Sequence, residues 1–200
     1  MISNEEIIYN KLLEVYPDAI STITQLSYND NDRVSFIHSE ATAFNYDSVV
    51  NCHPECENKE KSPDALFLRN ETLYFVEFKD GKTNKEDIRL KIHEGVSTLY
   101  SFVRKHIHEL SRDDFFNLNI KYALIYRSRN SNHSSFAEAL EATGTKYHLR
   151  NLDGYIIKKT RVASCPNNIF SLLEKISGGA VQHILISNRD GNPLRVPAAQ

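Results

Sequence analysis

Everything else in this chain must be built around one stretch, residues 62–82, SPDALFLRNETLYFVEFKDGK. Its second half, TLYFVEFK, is β-branched and aromatic, the composition of a strand. Side chains alternate faces along a strand, so Leu73, Phe75, Glu77 and Lys79 share one face and Thr72, Tyr74, Val76 and Phe78 the other. A glutamate and a lysine therefore point the same way from the end of an apolar strand. Buried charges persist mainly when paired or when they hold an ion.

A two-residue turn at Asn70-Glu71 sets the pairing with the preceding strand. Arg69 then faces Thr72, Leu68 faces Leu73, Leu66 faces Phe75 and Asp64 faces Glu77. Directly opposed residues have Cβ atoms roughly 4.5–5.5 Å apart, so two carboxylates converge with an ammonium two residues along. Like charges at that separation repel, and one protonates unless a cation sits between them. A hard divalent cation such as Mg2+ takes this kind of oxygen ligand. Asn-Glu is not a favoured pair for such a turn, and a slip of one residue turns Asp64 to the wrong face.

Pro63-Asp64 followed by Glu77-Phe78-Lys79, on an apolar hairpin ahead of a polar turn and a long amphipathic helix, resembles the PD-(D/E)XK nuclease superfamily. The likeness covers residues 62–127 well and the flanks loosely. It implies an α/β fold, a small mixed β-sheet flanked by helices with a restriction-endonuclease-like αβββαβ core. It also implies a nuclease dependent on Mg2+ or Mn2+. Asp64 and Glu77 would hold the metal, the backbone carbonyl of Phe78 would join them, and Lys79 would orient or activate the attacking water. A glutamate on an N-terminal helix can complete such a site. Glu6 best fits that position, with Glu5, Glu14 and Glu40 as competitors and helix capping as its other job. DNA is the commonest substrate of the superfamily and RNA the other. A lone domain of this kind suits defence, restriction or mobile-element biology, with a second copy or a partner protein supplying specificity.

Composition adds bounds. At 200 residues, 40% hydrophobic and 25% charged, the chain has the size and make-up of one soluble globular domain. A net charge of −2 does not advertise polyanion binding, so any nucleic-acid contact rests on a local basic strip. No stretch is apolar enough to span a membrane and the first residues are too polar for a signal peptide, so the expectation is cytoplasmic. Cys52, His53 and Cys56 sit together in NCHPEC, but a structural zinc site needs four ligands, and a polar loop is the simpler reading.

Along the chain, Ile8, Leu12 and Tyr16 mark a helix over residues 4–16 that Ser3 and Glu6 can cap. Residues 33–38 and 46–51 read as strands, with 39–45 undecided. After the hairpin, Ile88, Ile92, Val96, Leu99, Val103, Ile107 and Leu110 step by three or four, predicting a helix over 85–110. Gly95 within that stripe marks a place where a strand approaches closely. Lys82, Lys85 and Arg89 cluster at the helix start as candidate phosphate contacts, and Lys91 falls on another face. Residues 120–127, apolar on both faces, read as a central strand. Ser135 to Glu138 forms a capping box, and the short helix it opens can end at Gly144. Tyr155-Ile156-Ile157 continues the sheet, with Lys158, Lys159 and Arg161 adding positive charge. A last helix covers residues 168–176, ended by Gly178-Gly179. One domain thus spans 1–176, and 177–200 is a tail whose HILIS run can pair with a sheet edge or a second subunit.

Two other classes fit the same residues. One is a non-catalytic nucleic-acid-binding or protein-interaction module on this fold. The other is a metal-dependent enzyme with a different substrate.

Overall fold

The hairpin forms in the expected register. In a computed structural model, which describes residues 2–30, 32–50, 59–80, 84–127, 147–187 and 193–197, β6 (Ala65–Leu68) pairs antiparallel with β7 (Leu73–Asp80). The pairs are Leu68 with Leu73, Leu66 with Phe75 and Ala65 with Val76. Arg69 and Thr72 exchange both backbone hydrogen bonds, at 2.9 and 3.0 Å. Asn70 and Glu71 both take positive φ, 45° and 51°, the type I′ geometry whose twist matches the strands. Asparagine tolerates that region and glutamate does so at a cost. The Thr72 hydroxyl, donating to the Asn70 carbonyl at 3.2 Å and accepting from Asn119 Nδ2 at 2.6 Å, helps to hold it.

The hairpin lies inside a six-stranded mixed sheet. Before it come α1 (Asn4–Val15), β1 (Ile20–Thr22), α2 (Ile23–Leu26), β2 (Tyr28–Asn29), β3 (Val34–Ser35), β4 (Ile37–His38) and β5 (Thr42–Asn45). After it come α3 (Lys85–His106), α4 (Arg112–Asn117), β8 (Ile120–Arg127) and β9 (Lys159–Ala163). The chain then forms α5 (Pro166–Ile176), β10 (Ile184–Ile186) and β11 (Leu194–Val196). The order across the sheet is β1-β5-β6-β7-β8-β9, antiparallel as far as β7 and parallel from β7 to β9. A parallel step needs a crossover, and α3 with α4 supplies it between β7 and β8.

Each face of the sheet has its own core. Leu66, Phe75, Tyr122 and Leu124 pack with Ile8 and Leu12 of α1 and with Ile88, Ile92, Leu99 and Val103 of α3. Ala65, Val76, Phe78, Ala123 and Ile125 pack on the other face with Ile169, Leu173 and Ile176 of α5. The C-terminal stretch belongs to that second layer. β10 pairs with β4 and β11, and Val181, Ile184, Ile186 and Val196 are buried in the second core. No helix among the described residues is long and apolar enough to cross a membrane.

Local corrections follow from hydrogen bonding. Residues 46–49, read as a strand, form a 3-10 turn capped by Asn45, and the undecided segment supplies β5. The long helix ends at His106 instead of residue 110, because Ile107 leaves helical geometry at φ −134°, ψ 83°. Leu110 is still buried. Ser111 and Asp114 form a reciprocal capping box that opens α4, too short to show as periodicity. Tyr155-Ile156-Ile157 is a turn, and the strand begins two residues later at Lys159. The helix expected after Ser135 lies outside the described residues, as do Cys52, His53, Cys56 and Lys82.

Candidate active site

One step beyond Ala65 in the register, Asp64 lies across from Glu77. Asp64 is anchored by its own backbone and side chain. Its carbonyl accepts from Tyr46 N at 3.3 Å, and its Oδ2 accepts from the Phe78 N–H at 2.7 Å. The Phe78 side chain sits in the opposite core. N–H and C=O of one residue leave an extended strand on the same edge, so the Phe78 carbonyl lies on the edge that faces Asp64.

Glu77 is 0% exposed and carries the centre of the cluster. Lys79 Nζ lies 2.9 Å from Glu77 Oε1. Lys91 Nζ, from α3, donates to both Glu77 oxygens at 2.8 Å and lies 3.3 Å from Asp64 Oδ1. The cation seat inferred between the two carboxylates is therefore filled by an ammonium of the chain itself. Asp87 extends the network, pairing with Lys61 and lying 3.9 Å from Lys79 Nζ.

Gly95 makes this approach of α3 possible. A Cβ there would stand 2.8 Å from Pro63 Cδ, and the Gly95 carbonyl accepts from the Tyr46 hydroxyl at 2.9 Å. The sequence marked the close approach, and its partner is the proline of the motif. Lys61 N donates to Glu94 Oε2 at 2.5 Å, tying the same segment to the helix. Gly95→Ala is expected to destabilise the fold by about 1–3 kcal/mol through overpacking, despite the roughly 1 kcal/mol that alanine gains in a helix. A melting curve checks this. A variant as stable as wild type would show that Pro63 can yield.

The local field is uneven. Burial pushes the Asp64 carboxyl up to about 7, and the Glu77 charge adds to that push. Lys91, the Phe78 N–H and Lys79 oppose it. Burial works to lower Lys91, but the Glu77 and Asp64 charges outweigh it and hold the ammonium above its ordinary value. Among the described residues the buried Tyr122 hydroxyl has no hydrogen-bond partner. Burial, then the charges of Glu77, Asp64 and Asp87, push it well above a normal phenol.

The other expected site residues fall elsewhere. Glu6, expected as a further metal ligand, is not brought to the cluster. It closes a capping box with Ser3, accepting from Ser3 N at 3.0 Å. Its neighbour Glu5 is buried and accepts from Asn119 N at 2.6 Å, near the start of β8, while Glu77 lies toward the far end of β7. Lys85 and Arg89 turn away from the carboxylates. Lys85 Nζ lies 3.5 Å from Glu86, and Arg89 Nη1 donates to the His148 carbonyl at 2.9 Å. The face that meets the cluster carries Asp87, Lys91 and Glu94, one helical phase apart. Lys91 is the residue of the cluster that the sequence pattern alone does not single out. Its signal was a cation flanking the buried stripe of Ile88 and Ile92, on the helix that crosses a strand with a buried glutamate.

Two carboxylates with a carbonyl on the same edge form an all-oxygen set. Mg2+ is commonly bound by one or two carboxylates, with water and substrate phosphate completing its shell. The set fits such an ion once Lys91 withdraws. Among the described residues no group of three or more His, Cys, Asp or Glu side chains converges. The chain matches no family model, no curated protein and no solved structure.

Proposed function

We propose that this protein is a metal-dependent nuclease that hydrolyses phosphodiester bonds, with DNA favoured over RNA. The observation that carries the reading is the hairpin register, which sets Asp64 and Glu77 around one cation with Lys79 on the same carboxylate. Asp64, Glu77 and the Phe78 carbonyl would hold Mg2+ or Mn2+. When bound, the ion supplies charge against the phosphate oxygens and acidifies a water. Lys79 would orient the attacking water and offset the negative charge that develops on the phosphate. Lys91 would have to leave the carboxylates to admit the ion, and its place on α3 would keep its ammonium near the site. A partner protein or a second copy would supply sequence specificity in a restriction or defence setting.

Incubation with DNA and RNA in Mg2+, Mn2+, Ca2+ or chelator tests the reading. Cleavage is expected with Mg2+ and Mn2+, little with Ca2+ and none in chelator. Cleavage in chelator, or of neither nucleic acid, overturns it.

One observation favours a second reading. Lys91 and Lys79 already neutralise both carboxylates, so the cluster could serve as a buried ionic core in a non-catalytic nucleic-acid-binding module. That module would neither cut nor respond to metal.

A further inference from the structure

We propose that the cleft bordering β9 seats a nucleic-acid strand, held by Arg150, Lys159, Arg161 and Lys175. The proposal rests on the nuclease reading for its choice of polyanion. The cleft, of about 610 Å3, lies between the 3-10 turn Leu149–Leu152, β9 and α5. Among the described residues β9 is the last strand in the sheet order. All four cations are exposed, and among the described residues none forms an ion pair. Among the described residues one carboxylate lines the cleft, that of Asp153, whose Oδ1 accepts from the Thr160 N–H at 2.7 Å. By contrast, the lysines around the active site, Lys61, Lys79 and Lys91, are all engaged with carboxylates. In a chain of net charge −2, four cations against one carboxylate make a local excess of positive charge in one concave place.

The register places the cleft relative to the carboxylates. Glu77 pairs with Leu124 and Leu124 with Val162, so Val162 is level with Glu77 on the same face, while Arg161 stands in the row of Val76 and Lys159 in the row of Tyr74, both on the opposite face, toward α5. Two strand spacings separate β7 from β9, roughly 10 Å. Lys159 and Arg161 stand two residues apart on one strand, about 6.6 Å, a spacing like that of successive phosphates along a nucleic-acid chain. A strand lying in the cleft would run along the β9 edge, at the level of Glu77 but on the α5 side of the sheet.

The test is binding of a fluorescent single-stranded DNA oligonucleotide, and RNA of the same sequence, in chelator at a series of salt concentrations. One variant changes Arg150, Lys159, Arg161 and Lys175 to Gln. A control removes the same charge at the exposed Arg33, Arg104, Lys105 and Arg195. Melting curves confirm that both are folded. The cleft variant is expected to bind at least tenfold more weakly at low salt. Its plot of log affinity against log salt should flatten by about three, at roughly 0.7 per phosphate contact on a single strand. The control should keep the wild-type slope. Equal loss in both variants, no loss in either, or no binding by wild type overturns the proposal. So does a cleft variant that loses binding of polyglutamate but keeps that of DNA and RNA, because the partner is then an acidic protein. Cutting by wild type with unchanged binding in the cleft variant removes the cleft and leaves the nuclease. Loss of binding in a protein that never cuts removes the nuclease and leaves the cleft.

Discussion

Lys79→Ala is expected to lower the cleavage rate by roughly 10²–10³-fold, the usual effect of removing one group that stabilises developing charge. Lys79 Nζ reaches Glu77 at 2.9 Å from a side chain still 25% exposed, so it touches the carboxylate and faces solvent where a phosphate would arrive. Glu77 keeps Lys91 as a partner in the variant, so the fold should survive. Metal affinity should be largely retained, because no oxygen ligand is removed. Single-turnover cleavage and calorimetric titration with Mn2+ separate the two effects. Full activity in this variant removes Lys79 from the reaction.

Lys91→Met is expected to change stability and metal affinity in opposite directions. Its side chain is 15% exposed and bridges a glutamate with no exposure at all. Breaking one partner from such a buried pair costs about 3 kcal/mol, or roughly 6–12 °C in the melting point of a domain this size. Lys79 still neutralises part of the Glu77 charge, which places the cost at the low end of that class. A divalent ion competes with the ammonium for one place. Charge-assisted hydrogen bonds are worth about 1.5–3 kcal/mol, so removing the competitor should tighten Mn2+ binding by about 10- to 100-fold. Calorimetry in chelator-free buffer reads the affinity, and melting curves in chelator read the stability. Unchanged metal affinity would mean that Lys91 and the ion do not share a seat.

The hairpin was legible because a period of two and a two-residue turn leave few registers. One slip would have put Leu66 and Phe75 in the wrong core. It formed even with Glu71 at positive φ, so packing of both strand faces overrode the preference of the turn. The stripe from Ile88 to Val103 was legible for the same kind of reason. Lys91 was not, since helical phase tells which residues share a face but not which strand that face will meet. The burial of Glu5 in place of Glu6 depends on where α1 docks near Asn119, a contact between residues 114 apart in the chain. The pairing of β10 with β4 is of that long-range kind as well. Residues 155–157 are as apolar as a strand, but Gly154 at φ 75° and its hydrogen bond to the Ile157 carbonyl at 2.8 Å close them into a turn.

The shared seat itself can be read from melting curves of wild type and Asp64→Asn, with and without Mn2+, at acid and at alkaline pH. An ordinary aspartate loses its proton near 3.9, while Asp64 in the folded protein holds it to about 7. Between those values the folded state binds more protons than the unfolded state, so metal-free stability falls as pH rises through the window and levels off above about 7. Asparagine keeps the shape and removes the charge. In chelator at pH above 7, the variant should therefore melt several degrees higher than wild type, at roughly 2–4 °C per kcal/mol, and the difference should shrink toward acid pH. Mn2+ should raise the wild-type midpoint by mass action and hardly move the variant, which has lost a ligand. A variant no more stable than wild type in chelator, with both proteins responding equally to Mn2+, would contradict a cation shared by Asp64 and Glu77.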